Sequence, residues 1–415
     1  MSAAEARRAI EAVWGIESPR LLGALTRVVR DIDLAEELAQ DAFVAALAQW
    51  PNEGIPRNPG AWLMSVAKRR AIDRFRRDAL LEQKHEQFGR EMVPVEDPDF
   101  AALDDDVGDD LLRLMFIACH SVLSPDARVA LTLRLLGGLS TPEIARAFLV
   151  SEATVAHRIV RAKRTIADAH VPYEVPDASE RARRLPSILE AIYLIFNEGY
   201  SASTGDDILR PALCEEAIRL GCVLAHMLPE DAEVHGLVAL MEIQASRSKA
   251  RVGPSGEHVL LLDQDRTRWD YMLIGRGLAA LERAQQLGAP FGPYTLQAAI
   301  AACHARASTA AQTDWHRIAA LYEALAQVAP SPVVELNRAV AVGMALGPSF
   351  GLELVDALES EPALKNYHLL PTVRGDLLEK LGRLSEARAA FERAAALAQN
   401  ARDRELLLER AARCR

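Results

Sequence analysis

One stretch constrains the fold more than any other: Leu139 to Arg164, Leu-Ser-Thr-Pro-Glu-Ile-Ala-Arg-Ala-Phe-Leu-Val-Ser-Glu-Ala-Thr-Val-Ala-His-Arg-Ile-Val-Arg-Ala-Lys-Arg. Its pattern predicts two short helices joined by a tight turn. Ser140 and Glu143 form a capping box, in which a hydroxyl and a carboxylate reciprocally satisfy the first amide donors of a helix. Pro142 falls in the first turn, where a missing N–H costs nothing. The second helix restarts at Ser151, a good N-cap, followed by Glu152 at the positive end of the dipole. Val155, Ile159, Ala162 and Ile166 recur at helical spacing and form its buried stripe. The opposite side offers Thr154, His157, Arg158, Arg161 and Arg164, a basic face. Such a pair matches a helix-turn-helix with its reading helix second. It equally matches an ordinary helical hairpin with a solvated basic side, and the stretch alone does not choose.

A chain of 415 residues is long enough for about three domains. Half of it is hydrophobic and 26% is charged, the balance of a soluble globular protein. Aromatics make up only 5% while Ala is abundant, which favours helices packed closely through small residues. No apolar run approaches the roughly 18 residues of a membrane span, and the N-terminus lacks the apolar core of a secretory signal. Cys119, Cys214, Cys222, Cys303 and Cys414 are odd in number and lack metal-type spacing, so a reduced, cytoplasmic protein without a bound metal or cofactor is expected. The net charge of −10 argues against a nucleic-acid binder until its distribution is read. Positive charge concentrates in Lys68–Arg77 and His157–Arg164, and the stretch between them, Glu91–Asp110, is acidic with no Lys or Arg.

In chain order, residues 5–85 read as helical. Ala9, Val13, Leu21, Leu22, Leu25, Val28 and Val29 give an apolar stripe through two helices. A third, Asp31–Trp50, points Leu34, Leu38, Phe43 and Leu47 inward and carries Asp33, Glu36, Glu37, Gln40 and Asp41 on an acidic outer edge. Pro51 is expected to stop it, and Asn52–Gly60 reads as a loop. From Ala61 to about Glu86 a further helix buries Trp62, Leu63, Val66, Ala67 and Ile72 and exposes Lys68, Arg69, Arg70, Arg74, Arg76 and Arg77. Trp62 starts the buried stripe and so reads as core rather than as a stacking platform. Asp73 reads as a surface ion pair with one of the neighbouring arginines.

The acidic helix, the Trp-Leu helix, an acidic tether and the helix-turn-helix occur in that order. This ordered set resembles sigma-70-type initiation factors of the extracytoplasmic-function group. The resemblance implies core RNA polymerase (its clamp coiled coil and flap) and promoter DNA as partners. Asp33, Glu36, Glu37, Gln40 and Asp41 would then meet polymerase. Arg57, Asn58, Lys68, Arg69, Arg70, Arg76 and Arg77 would handle the −10 element, where opened strands need a basic groove and pockets for unstacked bases. Ser151, Thr154, His157, Arg158, Arg161, Lys163 and Arg164 would read the −35 element, with Arg158 and Arg161 on guanine edges or phosphates. Three positions depart from the family pattern: Arg69 stands where Asn is usual, Leu149 where the turn usually has Gly, and Ala156-His157 where Lys-Ser is frequent. The last implies an unusual promoter preference.

The remainder is helical and rich in small residues. Tyr322, Val355 and Phe391 occupy similar places about 33 to 36 residues apart, and Arg374–Ala394 resembles a tetratricopeptide repeat, with Gly375, Gly382, Ala387, Phe391 and Ala394 at its packing positions. Ile192–Tyr200, Leu261–Asp270, Gln297–His304 and Ser331–Ala341 look like the helical extension of a sigma subgroup, in which such a domain acts as a built-in regulator. Asp263, Asp265, Arg266, Arg268, Trp269 and Asp270 read as a buried network tying helix pairs together, with a docking surface as the alternative. His304, His316 and His368 read as packing or surface histidines.

The expected organisation is all-α. A region 2 module spans 1–88, an acidic linker 89–110, a region 4 module 111–170, a second linker 171–186, and a tetratricopeptide-like solenoid 187–415. The leading reading is a sigma factor with no catalytic chemistry. The runner-up is a free-standing helix-turn-helix regulator whose solenoid binds a ligand or peptide; it would shift its operator without polymerase. An enzyme using Asp263 or Asp265 with His304 lacks any supporting nucleophile elbow, P-loop or dinucleotide loop.

Overall fold

In the computed structural model every regular element among the described residues is helical, and those residues are 3–86, 110–148, 150–200, 210–253, 259–398 and 401–414. No helix among them is long and apolar enough to cross a membrane. The chain divides into two compact units, residues 1–191 and 192–415.

The first unit begins with α1 (Ala3–Val29), α2 (Ile32–Glu53) and α3 (Pro59–Glu86), which pack on one another. The two expected N-terminal helices are a single one: α1 continues through Pro19. Proline removes one hydrogen bond there, and the neighbouring Ser18, Leu21 and Leu22 are buried and hold the turn against the core. Pro51 likewise lies inside α2 rather than stopping it. The helix ends at Gly54, whose φ of 87° suits glycine and whose N–H donates to the Trp50 carbonyl. Asp31 caps the other end, accepting from the Leu34 N–H at 2.8 Å. The buried stripe of α2 is built from Ile32, Ala35, Leu38, Ala39, Ala42, Ala46 and Trp50. Leu34, Phe43 and Leu47, expected inward, are half-buried. In α3 Leu63, Val66, Ala67 and Ala71 are buried, and Trp62 is half-buried, its ring edge-on to Trp50 at 5.2 Å.

The acidic stretch 89–109 and Leu149 lie outside the described residues. After them come α4 (Asp110–Ala118), α5 (Pro125–Leu135), α6 (Thr141–Phe148) and α7 (Glu152–Asp168). Gly138, at φ 65°, turns the chain between α5 and α6. Val155, Ile159, Ala162 and Ile166 are the buried residues of α7, as its spacing predicts. The stretch 178–186, expected within a linker, instead opens α8 (Ala178–Tyr200). Its first half belongs to the first unit. Arg184 donates to the Phe116 carbonyl at 3.0 Å, and Arg128 of α5 pairs with Glu190 at 2.7 Å.

The second unit continues with α9 (Pro211–Met227), α10 (Ala232–Ala245), α11 (Tyr271–Gln286), α12 (Pro293–Arg306), α13 (Trp315–Val328) and α14 (Pro332–Leu346). It closes with α15 (Pro348–Ala357), α16 (Leu369–Lys380), α17 (Leu384–Leu397) and α18 (Ala401–Arg413). From α13 onward each helix packs mainly on its sequence neighbours, the quasi-one-dimensional pattern of a solenoid. Proline starts α9, α12, α14 and α15, where the missing donor is harmless. The repeat-like stretch is the pair α16–α17. A Cβ on Gly375 would stand 2.7 Å from the Phe391 ring, so the absence of a side chain there lets the two helices close. Ala387, Phe391 and Ala394 are fully buried beside it.

Candidate nucleic-acid interface

The reading helix α7 is built as its sequence implies at the start and differently at the middle. Ser151 accepts the Thr154 N–H at 3.1 Å, and the two hydroxyls lie 2.8 Å apart. In the first turn of α6, Glu143 accepts from both the N–H and the hydroxyl of Ser140, just ahead of the helix, at 2.8 and 2.6 Å. The Ser140 hydroxyl therefore donates to the carboxylate rather than accepting an amide proton. Those bonds hold the Glu143 carboxyl below its ordinary range.

The expected −35 residues fall into three groups. Ser151, His157, Arg161 and Arg164 are exposed, and Arg164 reaches Asp168 one turn on at 3.6 Å. Thr154 and Arg158 are half-buried, and Arg158 pairs with Asp126 at the start of α5, 2.9 Å away. Lys163 turns inward. Its side chain is only 12% exposed, bonded to Asp33 at 2.6 Å and in closer contact with Glu36. Both carboxylates belong to the acidic edge of α2. Burial alone would depress the Lys163 amine, but the Glu36 and Asp33 charges outweigh it and raise the amine above its ordinary value.

That edge is correspondingly split. Glu37, Gln40 and Asp41 are exposed, and so is Asp33 despite its bond to Lys163. Glu36 is buried, against its expected place on the outer edge. Arg134 of α5 explains why, pairing with the other Glu36 oxygen at 2.9 Å and donating toward the Leu139 carbonyl. Nearby, burial first and then Asp31 and Asp33 lift the Tyr173 phenol to about 12. Arg27 of α1 binds Asp110 at 3.0 Å, and Arg113 binds the same carboxylate. The acidic helix and the helix-turn-helix are thus clasped together inside one unit. Arg134 was not among the expected site residues. A cation inside the apolar run Leu131–Leu136 was its signal, because a buried charge needs a partner.

The expected −10 residues lie along α3 and the loop before it. Arg57, Arg69, Arg70, Arg76 and Arg77 are exposed and Lys68 is half-buried. Asn58 accepts the Ala61 N–H at 3.1 Å and so caps α3. Arg69 and Arg77 donate to the Ser65 and Asp73 carbonyls one turn back, leaving most of each guanidinium outward. The Asp73 carboxylate is exposed and, among the described residues, forms no ion pair with these arginines. Arg74 instead crosses to Glu37 of α2 at 3.0 Å.

Comparison with known proteins follows this division. Residues 16–80 match sigma-70 region 2 and residues 113–166 match sigma-70 region 4. An ECF RNA polymerase sigma factor, SigK of Mycobacterium sp. (strain KMS), is 30% identical over 159 residues, covering 36% of this chain and 77% of its own length. The chain belongs to the extracytoplasmic-function sigma factors of RNA polymerase. The SigK of Mycobacterium tuberculosis (strain ATCC 25177 / H37Ra) is 29% identical over 154 residues, 35% of this chain and 78% of its own. As a sigma factor the protein works in transcription initiation, with core RNA polymerase and promoter DNA as partners. An uncharacterized protein of Rhizobium meliloti (strain 1021) is similar along nearly the whole length, 46% identical over 388 residues, 92% of this chain and 90% of its own. Residues 184–285 match a family of unknown function, DUF6596. No solved structure matches the chain.

Proposed function

We propose that this sigma factor docks on polymerase through the exposed acidic edge of α2, handles the −10 element with α3 and the loop around Arg57, and reads the −35 element with α7. The C-terminal unit modulates that activity. One observation carries the reading: His157, Arg161 and Arg164 stand exposed on the helix whose opposite stripe, Val155, Ile159, Ala162 and Ile166, is buried. An amphipathic helix that presents cations outward over a packed support can enter a major groove. Arg161 is the leading base or phosphate contact, and Arg158 joins it by exchanging Asp126 for DNA.

The clasp between α2 and α7 gives this function a second state. While Lys163 is bonded to Asp33 and Glu36, one expected DNA contact and two expected polymerase contacts neutralise one another. Core polymerase competes for the same carboxylates, so docking and release of region 4 are coupled on this reading.

The test is run-off transcription with purified core polymerase on the native promoter. Arg158→Ala combined with Arg161→Ala should abolish promoter-specific transcripts while core binding stays intact. Removing each phosphate-binding cation should also flatten the log–log salt dependence of promoter binding by about 0.9. Undiminished transcription from the double variant would remove α7 as the −35 reader.

A further inference from the structure

In the second unit, three guanidiniums and an imidazole gather with no counter-charge among the described residues. Arg247 follows α10, Arg251 lies four residues on, Arg266 lies in the turn before α11, and His304 is on the last turn of α12. Arg251, Arg266 and His304 are 7%, 9% and 8% exposed, and Arg247 is half-buried. None of the three arginines is in a salt bridge with a carboxylate among the described residues. Their contacts are to carbonyls and rings. Arg266 Nη1 donates to the His304 and Ala307 carbonyls at 2.5 and 2.8 Å, and its guanidinium lies 4.5 Å from the Trp269 ring. Arg251 donates to the Tyr200 carbonyl at 2.7 Å and sits 3.8 Å over the Tyr200 ring, with Arg247 at 5.9 Å from the same ring. What remains is orphaned: Arg247 Nε, Arg266 Nη2 and His304 Nδ1 are buried with no hydrogen-bond partner. The charges act on one another. Arg247 and Arg266 both disfavour protonation of His304, and Arg247 disfavours the charged form of Arg266.

Burying an unpaired charge is among the most unfavourable things a fold can do, and placing like charges together adds to it. Among the described residues, three carboxylates of the surrounding segments are engaged elsewhere. Asp265 accepts from the N–H and hydroxyl of Thr267, Asp270 caps α11, and Glu198 binds Arg210. A guanidinium fork with free N–H groups, beside an imidazole with a free nitrogen, is the donor set that carboxylate and phosphate groups accept. Aromatic rings flank the cluster: His304 packs edge-on against Trp315 at 5.2 Å, and Tyr322 lies within electrostatic range of Arg247.

We infer that Arg247, Arg266 and His304 form a binding site for a small molecule bearing a carboxylate or phosphate group, which makes the C-terminal unit a receptor for an oxyanion. This inference stands apart from the promoter and polymerase contacts proposed above and is tested without them.

The experiment is thermal unfolding of the full chain, titrated with inorganic phosphate and separately with benzoate, against sodium chloride at matched ionic strength. At least one oxyanion should stabilise the protein saturably, by about 5 °C near saturation, and the arm that saturates identifies the group. Arg247→Gln should abolish the shift and leave the anion-free chain no less stable, because it removes a repulsive charge. Arg247→Lys, which keeps the charge and loses the fork, should weaken the titration at least tenfold. Absence of a saturable shift with either probe overturns the site, as does a shift of equal size in wild type and both variants.

Discussion

Burial, reinforced by the charges of Arg247 and Arg266, holds the His304 imidazole down to about 4, from an ordinary value of 6.5. The folded chain therefore keeps this ring neutral where the unfolded chain protonates it. Stability from the neutral ring is fully present above pH 6.5 and is lost as the pH falls toward 4, by on the order of 2 kcal/mol at pH 4.5. Denaturant unfolding of wild type and His304→Gln at pH 7 and pH 4.5 checks this. The wild type should lose about that much more than the variant, and parallel losses would contradict it. Only part of this was legible in the sequence. His304, read as a packing residue, does pack on Trp315, but of the network expected around Trp269 only Arg266 and Trp269 are buried, while Asp263, Asp265 and Arg268 are exposed. That Arg266 meets the His304 and Ala307 carbonyls and the Trp269 ring rather than Asp263 or Asp265 depends on a loop path that no local pattern encodes. Lys163 offers the opposite lesson. It lies four residues after Ile159 and three before Ile166, on the stripe side of α7, so its inward turn was readable from spacing that weighing charge alone obscures.

At the scale of elements, caps and stripes were the readable part. Ser151, Asp31 and the α7 stripe stand where local rules put them, because each depends only on neighbours within a turn or two. Prolines misled for the same reason. Pro51 looks like a stop locally, yet α2 runs on to Glu53, and Pro19 sits inside α1, where the buried Ser18, Leu21 and Leu22 hold the turn. What sequence could not supply was the pairing of α2 with α5 and α7, in which Glu36 bridges Arg134 and Lys163. This bridge predicts a chemical signature. A zero-length carbodiimide coupling should join the Lys163 amine to Asp33 in the free protein, read as a cross-linked peptide by mass spectrometry. Excess core polymerase should suppress that product by at least severalfold. A yield unchanged by polymerase would separate the clasp from docking.

Over the whole molecule, the boundary between the two units falls inside α8, between Ala191 and Ile192. A truncation after residue 186 would strip Glu190 from Arg128 and remove Ile188 and Leu189 from the first unit's core. Stopping after Ala191 keeps them. Residues 1–191 should bind core polymerase and yet lose most promoter-specific transcription, if the second unit supports the activity it is attached to. Transcription rising above the full chain would assign that unit to inhibition instead.

The clasp also has a consequence for length. On the proposed roles, the −10 and −35 elements lie about 25 base pairs apart, on the order of 85 Å at about 3.4 Å each. A compact body the size of the first unit has a radius of gyration of about 16 Å and a span near 40 Å. With Lys163 fastened to α2 and Arg27 to Asp110, the protein is a ruler folded shut, long enough to touch one element and too short for both. Unfastened, the chain from Glu86 to Asp110 can extend to at most about 80 Å, close to the distance the promoter sets. Shortening that stretch by half should therefore leave each DNA contact intact and abolish their simultaneous use.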